Sequence, residues 1–226
     1  PSHNAVIYSI AAGGSVSIAH LFLAGILPGA LFGLCLVGLV LWTARRQDMP
    51  KAESVTFGES LKIAADSIWG LGTVFIILGG ILSGVFTATE SAAVACVYAF
   101  IVTMFIYRDY KWKDLPRLVH RTVKTVAMVM LLIGVSAAFG YMMAMMQIPA
   151  QATALFLEIT NNKYVMLMLV NILLLLLGTF MDMAPMLLIC TPILLPVVKA
   201  FGVDPVHFGM IMIVNLAIGL ITPPVG

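Results

Sequence analysis

Two carboxylates sit deep in apolar sequence, Glu90 and Asp182, and each stands beside residues that break or polarise a helix. Glu90 closes Thr87-Ala88-Thr89-Glu90, and Asp182 lies in Gly178-Thr179-Phe180-Met181-Asp182-Met183-Ala184-Pro185. An ionisable residue inside a membrane span costs roughly 2.5–3.5 kcal/mol on insertion scales, so its presence calls for a purpose. Proline inside a helix removes one backbone bond and frees carbonyls. Freed carbonyls, threonine hydroxyls and a carboxylate are the oxygen donors that small hard cations prefer. Two more clusters join proline to a polar residue at the edge of an apolar helix: Pro1-Ser2-His3-Asn4, and Asn215 through Thr222-Pro223-Pro224. Broken helices near mid-membrane are where secondary transporters place ion and substrate sites. The last two clusters lie at opposite ends of the sequence, the placement expected of equivalent break points in a duplicated protein.

Each carboxylate also has a plainer reading. Glu90 suits the N-terminal turn of a helix over Glu90–Tyr107, stabilised by the helix dipole. Asp182 could be a satisfied buried acid. His3, His20 and His207 are single imidazoles without ligand spacing, and the Met142–Met146 stretch reads as adaptable packing. Cys35, Cys96 and Cys190 stand alone in apolar runs, without the spacing of a disulfide framework or zinc site. No H-E-x-x-H, G-x-S-x-G or Walker loop occurs, so no hydrolase, zinc-protease or ATP-driven chemistry is signalled. Any transport is expected to draw on an ion gradient.

The elements that must hold these residues are membrane helices. Of 226 residues, 62% are apolar and only 10% charged, far from the balance of a soluble domain. Charge-free or nearly charge-free runs mark spans at Leu21–Trp42, Ser67–Thr89, Ser91–Tyr107, Thr125–Gln147 and Tyr164–Met181. Shorter ones lie at Met186–Ala200, with Pro192 and Pro196, and at Val206–Thr222. No alternating barrel pattern appears, so these are expected to be helices and the fold all-α. Most Lys and Arg fall in two blocks, Arg45, Arg46, Lys51 and Lys62, then Arg108, Lys111, Lys113, Arg117, Arg121 and Lys124. Positive charge at span ends favours the cytoplasmic side. Both blocks there leave an even number of passes between them, so 67–107 reads as a helical hairpin, full or re-entrant, turning at Phe86–Glu90. Glu59–Ile68 reads as an amphipathic surface arm. Ile148–Lys163 falls on the outer side as an interfacial helix and turn. The glycines Gly70, Gly72, Gly79, Gly80 and Gly84 suit either close packing of the hairpin or a limb that bends. No basic, aromatic-interleaved platform for nucleic acid is present.

At these clusters the sequence resembles the large membrane subunit of tripartite ATP-independent periplasmic transporters. The resemblance rests on Gly79-Gly80-Ile81 to Thr87-Ala88-Thr89-Glu90-Ser91-Ala92-Ala93-Val94, on Gly178 to Pro185, and on Gly202-Val203-Asp204-Pro205-Val206-His207-Phe208-Gly209. Gly219-Leu220-Ile221-Thr222-Pro223-Pro224-Val225-Gly226, Pro1-Ser2 and Leu21–Gly29 complete it. It departs at Ala88, where the family commonly has proline, which implies a less rigid hairpin tip.

The resemblance implies a multi-pass protein of the bacterial inner membrane with transmembrane helices, a re-entrant hairpin and broken helices, working as an elevator. Segments 1–20, 67–107 and 164–226 would belong to the transport domain. Segments 21–66 and 108–163 would supply scaffold helices, the cytoplasmic arm and loop, and the interfacial helix. The transporter would be sodium-coupled and would import an organic acid, such as a dicarboxylate or sialic acid. A periplasmic substrate-binding protein would deliver the acid. A small membrane subunit, separate or fused, and membrane lipid would be its other partners. Ser2, Asn4, Thr87, Thr89, Glu90, Asp182, Thr222 and Pro223 would form sodium sites. Pro1, Ser2, Thr87, Ala88, Asp182, Pro185, Asn215 and Pro224 would face the substrate. A proton-coupled carboxylate transporter, with Glu90 or Asp182 as carrier, is the alternative. No Lys or Arg falls within a motif, so backbone amides at helix N-termini would meet the acid. The chain is expected to be part of a longer polypeptide.

Overall fold

In lipid a backbone must satisfy its own polar groups, and helices do this within one segment. The structure, a computed structural model, describes residues 2–47 and 56–223. Among them the chain forms ten α-helices joined by short turns, and no strand. By length and composition, Ile18–Arg46, Phe57–Leu82, Ala88–Ile106, Trp112–Met145 and Met183–Ala200 can each cross a membrane. The protein is therefore an all-α polytopic membrane protein. Its helices fall into two compact units, one formed by Ile26–Leu118, the other by Ser2–Gly25 with residues 119–223.

The unit 26–118 holds three long helices. Helix α3 (Ile26–Arg46) buries no side chain and ends on Arg45 and Arg46, cations that suit a helix C-terminus. The Arg46 guanidinium lies 4.5 Å from the centre of the Trp42 ring. Helix α4 (Phe57–Leu82) starts after Thr56, whose N–H donates to Glu59 Oε2 at 2.9 Å. One 26-residue helix thus covers both the expected surface arm and the first hairpin limb. Nothing between Glu59 and Ser67 breaks a helix, and Leu61, Lys62, Ala64 and Ala65 all favour one.

Helix α5 (Ala88–Ile101) runs back along α4 and passes into a π-helical turn at Val102–Ile106. The Tyr98 ring fills a notch at Gly72, where any Cβ would collide with it, and its hydroxyl donates to Trp69 O at 2.9 Å. Farther along, the Tyr107 hydroxyl donates to Asp66 O. Gly72 and Gly80 thus make room for the rings of Tyr98 and Phe86, while a Cβ at Gly79 would meet nothing. Trp112, in a short 3-10 turn, meets Phe100 and Phe105 edge-on at 6.0 and 6.5 Å.

The other unit contains α1 (His3–Ala11), α2 (Ile18–Ala24), the length of α6 (Leu115–Met145) from Val119, α7 (Ile148–Ile159), α8 (Lys163–Gly178), α9 (Met183–Ala200) and α10 (Pro205–Leu220). Its core surrounds α9, where Leu187, Val197 and Val198 are inaccessible, as are Tyr8, Val170, Leu174, Phe208 and Met212 around them. Pro192 and Pro196 lie inside α9 without ending it. Each withholds an N–H from the carbonyl four residues back, Leu188 and Pro192 respectively, a loss tolerated where neighbouring helices enclose the backbone. Helices α8 and α10 have 16 residues each, which at about 1.5 Å per residue is nearer 24 Å than the ~30 Å hydrocarbon thickness. Both fall short of the roughly 20 residues that a membrane crossing takes.

Candidate cation and substrate site

The hairpin tip is built by local chemistry. Gly84, at φ +72°, turns the chain after α4, a conformation glycine adopts without steric cost. Phe86 N–H then donates to Gly80 O at 3.0 Å. Thr87 caps α5: its N–H and Oγ1 donate to Glu90 Oε2 at 2.7 and 2.8 Å, and its Oγ1 accepts from Glu90 N–H at 3.3 Å. This reciprocal cap starts α5 at Ala88, two residues before the helix start expected at Glu90. Thr87, Thr89 and Glu90 are exposed and Ala88 is half-buried, so one carboxylate oxygen of Glu90 is engaged while the face of the tip stays open. Ser91, fully buried beside Gly80, has no partner for its hydroxyl among the described residues.

In the other unit, α8 and α10 meet at two levels. Near their ends, a Cβ on Gly219 would lie 3.1 Å from Gly178 C and Cα, so the helices touch backbone to backbone. Lower down, Asn215 Nδ2 donates to Asn171 Oδ1 at 2.8 Å and to Asn171 O at 3.0 Å. Asn171 Nδ2 in turn donates to Leu167 O at 2.9 Å. Both contacts advance in the same direction along the two helices, so α8 and α10 run parallel and their C-termini coincide.

Helix α8 ends at Gly178, and the chain leaves it through Thr179–Asp182. Helix α10 ends at Leu220 and continues through Ile221, Thr222 and Pro223, all exposed. Each end carries a threonine hydroxyl turned back on its own helix: Thr179 Oγ1 donates to Leu176 O and Thr222 Oγ1 to Ile218 O, both at 2.8 Å. Having donated their protons, these oxygens face outward only as acceptors. Two helix C-termini side by side add partial negative charge at one place. Asp182 stands at the start of α9, exposed, its carboxylate without a partner among the described residues. Pro185 lies in the first turn of α9, where a missing N–H is harmless. The groups these two breaks carry, carbonyls, hydroxyls and a carboxylate, are all oxygen donors of the kind a hard cation takes. Among the described residues, no three His, Cys, Asp or Glu side chains gather to hold a metal ion.

The cluster at the start of the chain places Ser2 and Asn4 at the N-terminus of α1. Ser2 caps α1, its Oγ accepting from Asn4 N–H at 3.3 Å, and Asn4 Oδ1 is buried without a partner among the described residues. The Tyr8 ring rests on Gly209 and its hydroxyl donates to Pro205 O at 2.7 Å, which ties α1 to the start of α10. Pro1 and Pro224 lie outside the described residues. The structure therefore brings the break after Gly178, which leads to Asp182, alongside the end of α10, which leads to Thr222. Asn215 is buried, at 6% exposure, and bonded to Asn171. Sequence reasoning missed Asn171, although a single amide inside Tyr164–Gly178 was a signal by the cost of polarity in lipid. The pairing of Gly178 with Gly219 carried no signal of its own, since it joins glycines of two separate motifs.

Residues 1–226 match the family model described as "Tripartite ATP-independent periplasmic transporter, DctM component". The whole chain aligns with the "Uncharacterized protein YgiK" of Salmonella typhimurium at 42% identity, covering 52% of that protein. It aligns equally fully with the "C4-dicarboxylate TRAP transporter large permease protein DctM" of Pseudomonas aeruginosa at 41% identity, and with the "Sialic acid TRAP transporter large permease protein SiaM" of Vibrio cholerae at 38%, covering 52% of each. The chain thus spans about half the length of the curated relatives it matches.

Proposed function

The chain belongs to the family of the DctM component of tripartite ATP-independent periplasmic transporters, and from that premise we propose that it carries part of a sodium-coupled path for a small organic acid. It is a multi-pass protein of the bacterial inner membrane, and its relatives are permeases rather than enzymes. A soluble periplasmic protein hands over the acid, a small membrane subunit completes the scaffold, and an elevator movement carries acid and ions across together. The acid is carboxylated, the class that the C4-dicarboxylate and sialic acid permeases among its relatives take by name.

One observation supports the reading: the ends of α8 and α10 meet at Gly178 and Gly219, and the chain runs on from them to Asp182 and Thr222. Helix C-termini favour cations, and the donor set there is oxygen alone. Helix N-termini offer amides to a carboxylate instead, and in this unit α1 begins with such an end, capped by Ser2.

Uptake by the full-length protein with its partners, in proteoliposomes, tests the proposal. With an inward sodium gradient the acid accumulates. Replacing sodium by potassium or choline abolishes accumulation, and Thr222→Ala or Asp182→Ala raises the sodium needed. Full accumulation without sodium, driven instead by a pH jump, would replace this reading with proton coupling through Asp182 or Glu90.

A further inference from the structure

The amide pair below the two helix ends is an unusual use of polarity. Both hydrogens of the Asn215 carboxamide are spent on Asn171, one on its side chain and one on its backbone carbonyl. The remaining oxygen, Asn215 Oδ1, is buried and has no partner among the described residues. Interchanging oxygen and nitrogen would set Oδ1 against two acceptors, so Asn171 fixes the orientation. A buried acceptor without a partner costs about 1–3 kcal/mol, a penalty that a leucine of similar size would not incur. Stability alone therefore does not explain an asparagine here. Interhelical amide bonds do, however, fix the register of one helix against another.

Register is what the neighbouring contact requires. Gly219 lies four residues beyond Asn215, about 6 Å along α10, and Gly178 seven residues beyond Asn171, about 10 Å along α8. Between these levels, Leu216 packs over Gly178, its Cδ2 lying 3.3 Å from where a Cβ would stand. One turn before Asn215, Met212 receives the buried Thr191 hydroxyl of α9 at 3.8 Å. A rotation or slide of α10 that broke the amide bonds would move Gly219 off Gly178. We infer that Asn215 is a positioning residue: bonded to Asn171, it holds the C-terminus of α10 in register with that of α8 and so sets the affinity of the cation site between them. The inference rests on the sodium reading of those helix ends.

The test is a sodium titration of thermal unfolding on the purified full-length protein, at constant ionic strength, with choline as replacement. In the unsubstituted protein the midpoint rises with sodium and saturates. Asn215→Gln keeps both donors but adds a methylene, and the half-saturating sodium concentration rises about tenfold, the scale of one interhelical hydrogen-bond pair. The double substitution Asn171→Leu with Asn215→Leu removes every polar side-chain atom of the pair. It folds with an undiminished sodium-free midpoint and shows the same rise. Variants whose sodium-free midpoint falls while half-saturation stays put would overturn the inference, leaving Asn215 a structural residue only. Failure of both variants to fold would overturn it in the same sense. An unsubstituted protein indifferent to sodium would remove the sodium reading itself, a result distinct from the other two.

Discussion

Glycine does two different jobs at the crossing of α8 and α10, and single methyl groups separate them. A Cβ on Gly219 meets backbone atoms of Gly178 at 3.1 Å, which cannot swing aside. A Cβ on Gly178 meets first the end of the Leu216 side chain, which can. Gly219→Ala is therefore expected to destabilise by about 1–3 kcal/mol, the scale of overpacking, and to raise half-saturating sodium in uptake assays. Gly178→Ala should do both to a smaller extent, and equal effects would argue against direct backbone contact. At the hairpin tip, Gly84→Ala forces a side chain onto φ +72° and should cost about 1–2 kcal/mol in thermal unfolding. Glu90→Ala removes the acceptor of the Thr87 N–H and hydroxyl, so the amides of Thr87 to Ser91 should exchange with solvent faster. Unchanged exchange would mean that the reciprocal cap does not hold the tip.

At the level of elements, α4 and α5 act as one body because two phenols lock them. Tyr98 and Tyr107 each donate to a carbonyl of α4, at Trp69 and Asp66. Gly72→Ala would push a methyl into the Tyr98 ring, and its expected effect is faster exchange along the middle of both helices while the tip keeps its cap. Much of this was legible in the sequence. Charge-free length gave the spans, and Gly178-Thr179 through Pro185 and Thr222-Pro223 gave the places where helices stop. The continuous α4 was not legible, because amphipathic spacing over Glu59–Ile68 describes a helix face equally well on a membrane surface or inside a longer helix. The reciprocal cap was also obscured. Thr87-Ala88-Thr89-Glu90 has the spacing of a capping box, yet its carboxylate beside an apolar run reads first as an ion ligand. Asn171 and Asn215 are 44 residues apart, and no local pattern announces that two lone amides on different helices will bond.

Across the whole molecule, the chain is about half of its relatives in length, so a complete path needs further residues. On the proposed function, substrate choice follows a soluble partner: acids that such a binding protein holds in calorimetry should be those accumulated, and uptake should cease without it. Accumulation of an acid that the partner does not bind would contradict this.

The division of the chain into two units has an optical consequence. Its three tryptophans, Trp42, Trp69 and Trp112, all fall within 26–118, and none lies in the unit that bears Gly178, Asn215 and Thr222. Within this stretch, indole emission reports on the hairpin-bearing unit alone. Trp69 is the most informative of the three, since its own carbonyl is the one Tyr98 grips. The helix ends at Gly178 and Gly219 carry no indole, so a Phe180→Trp substitution, at an exposed position, would give that unit an indole signal of its own.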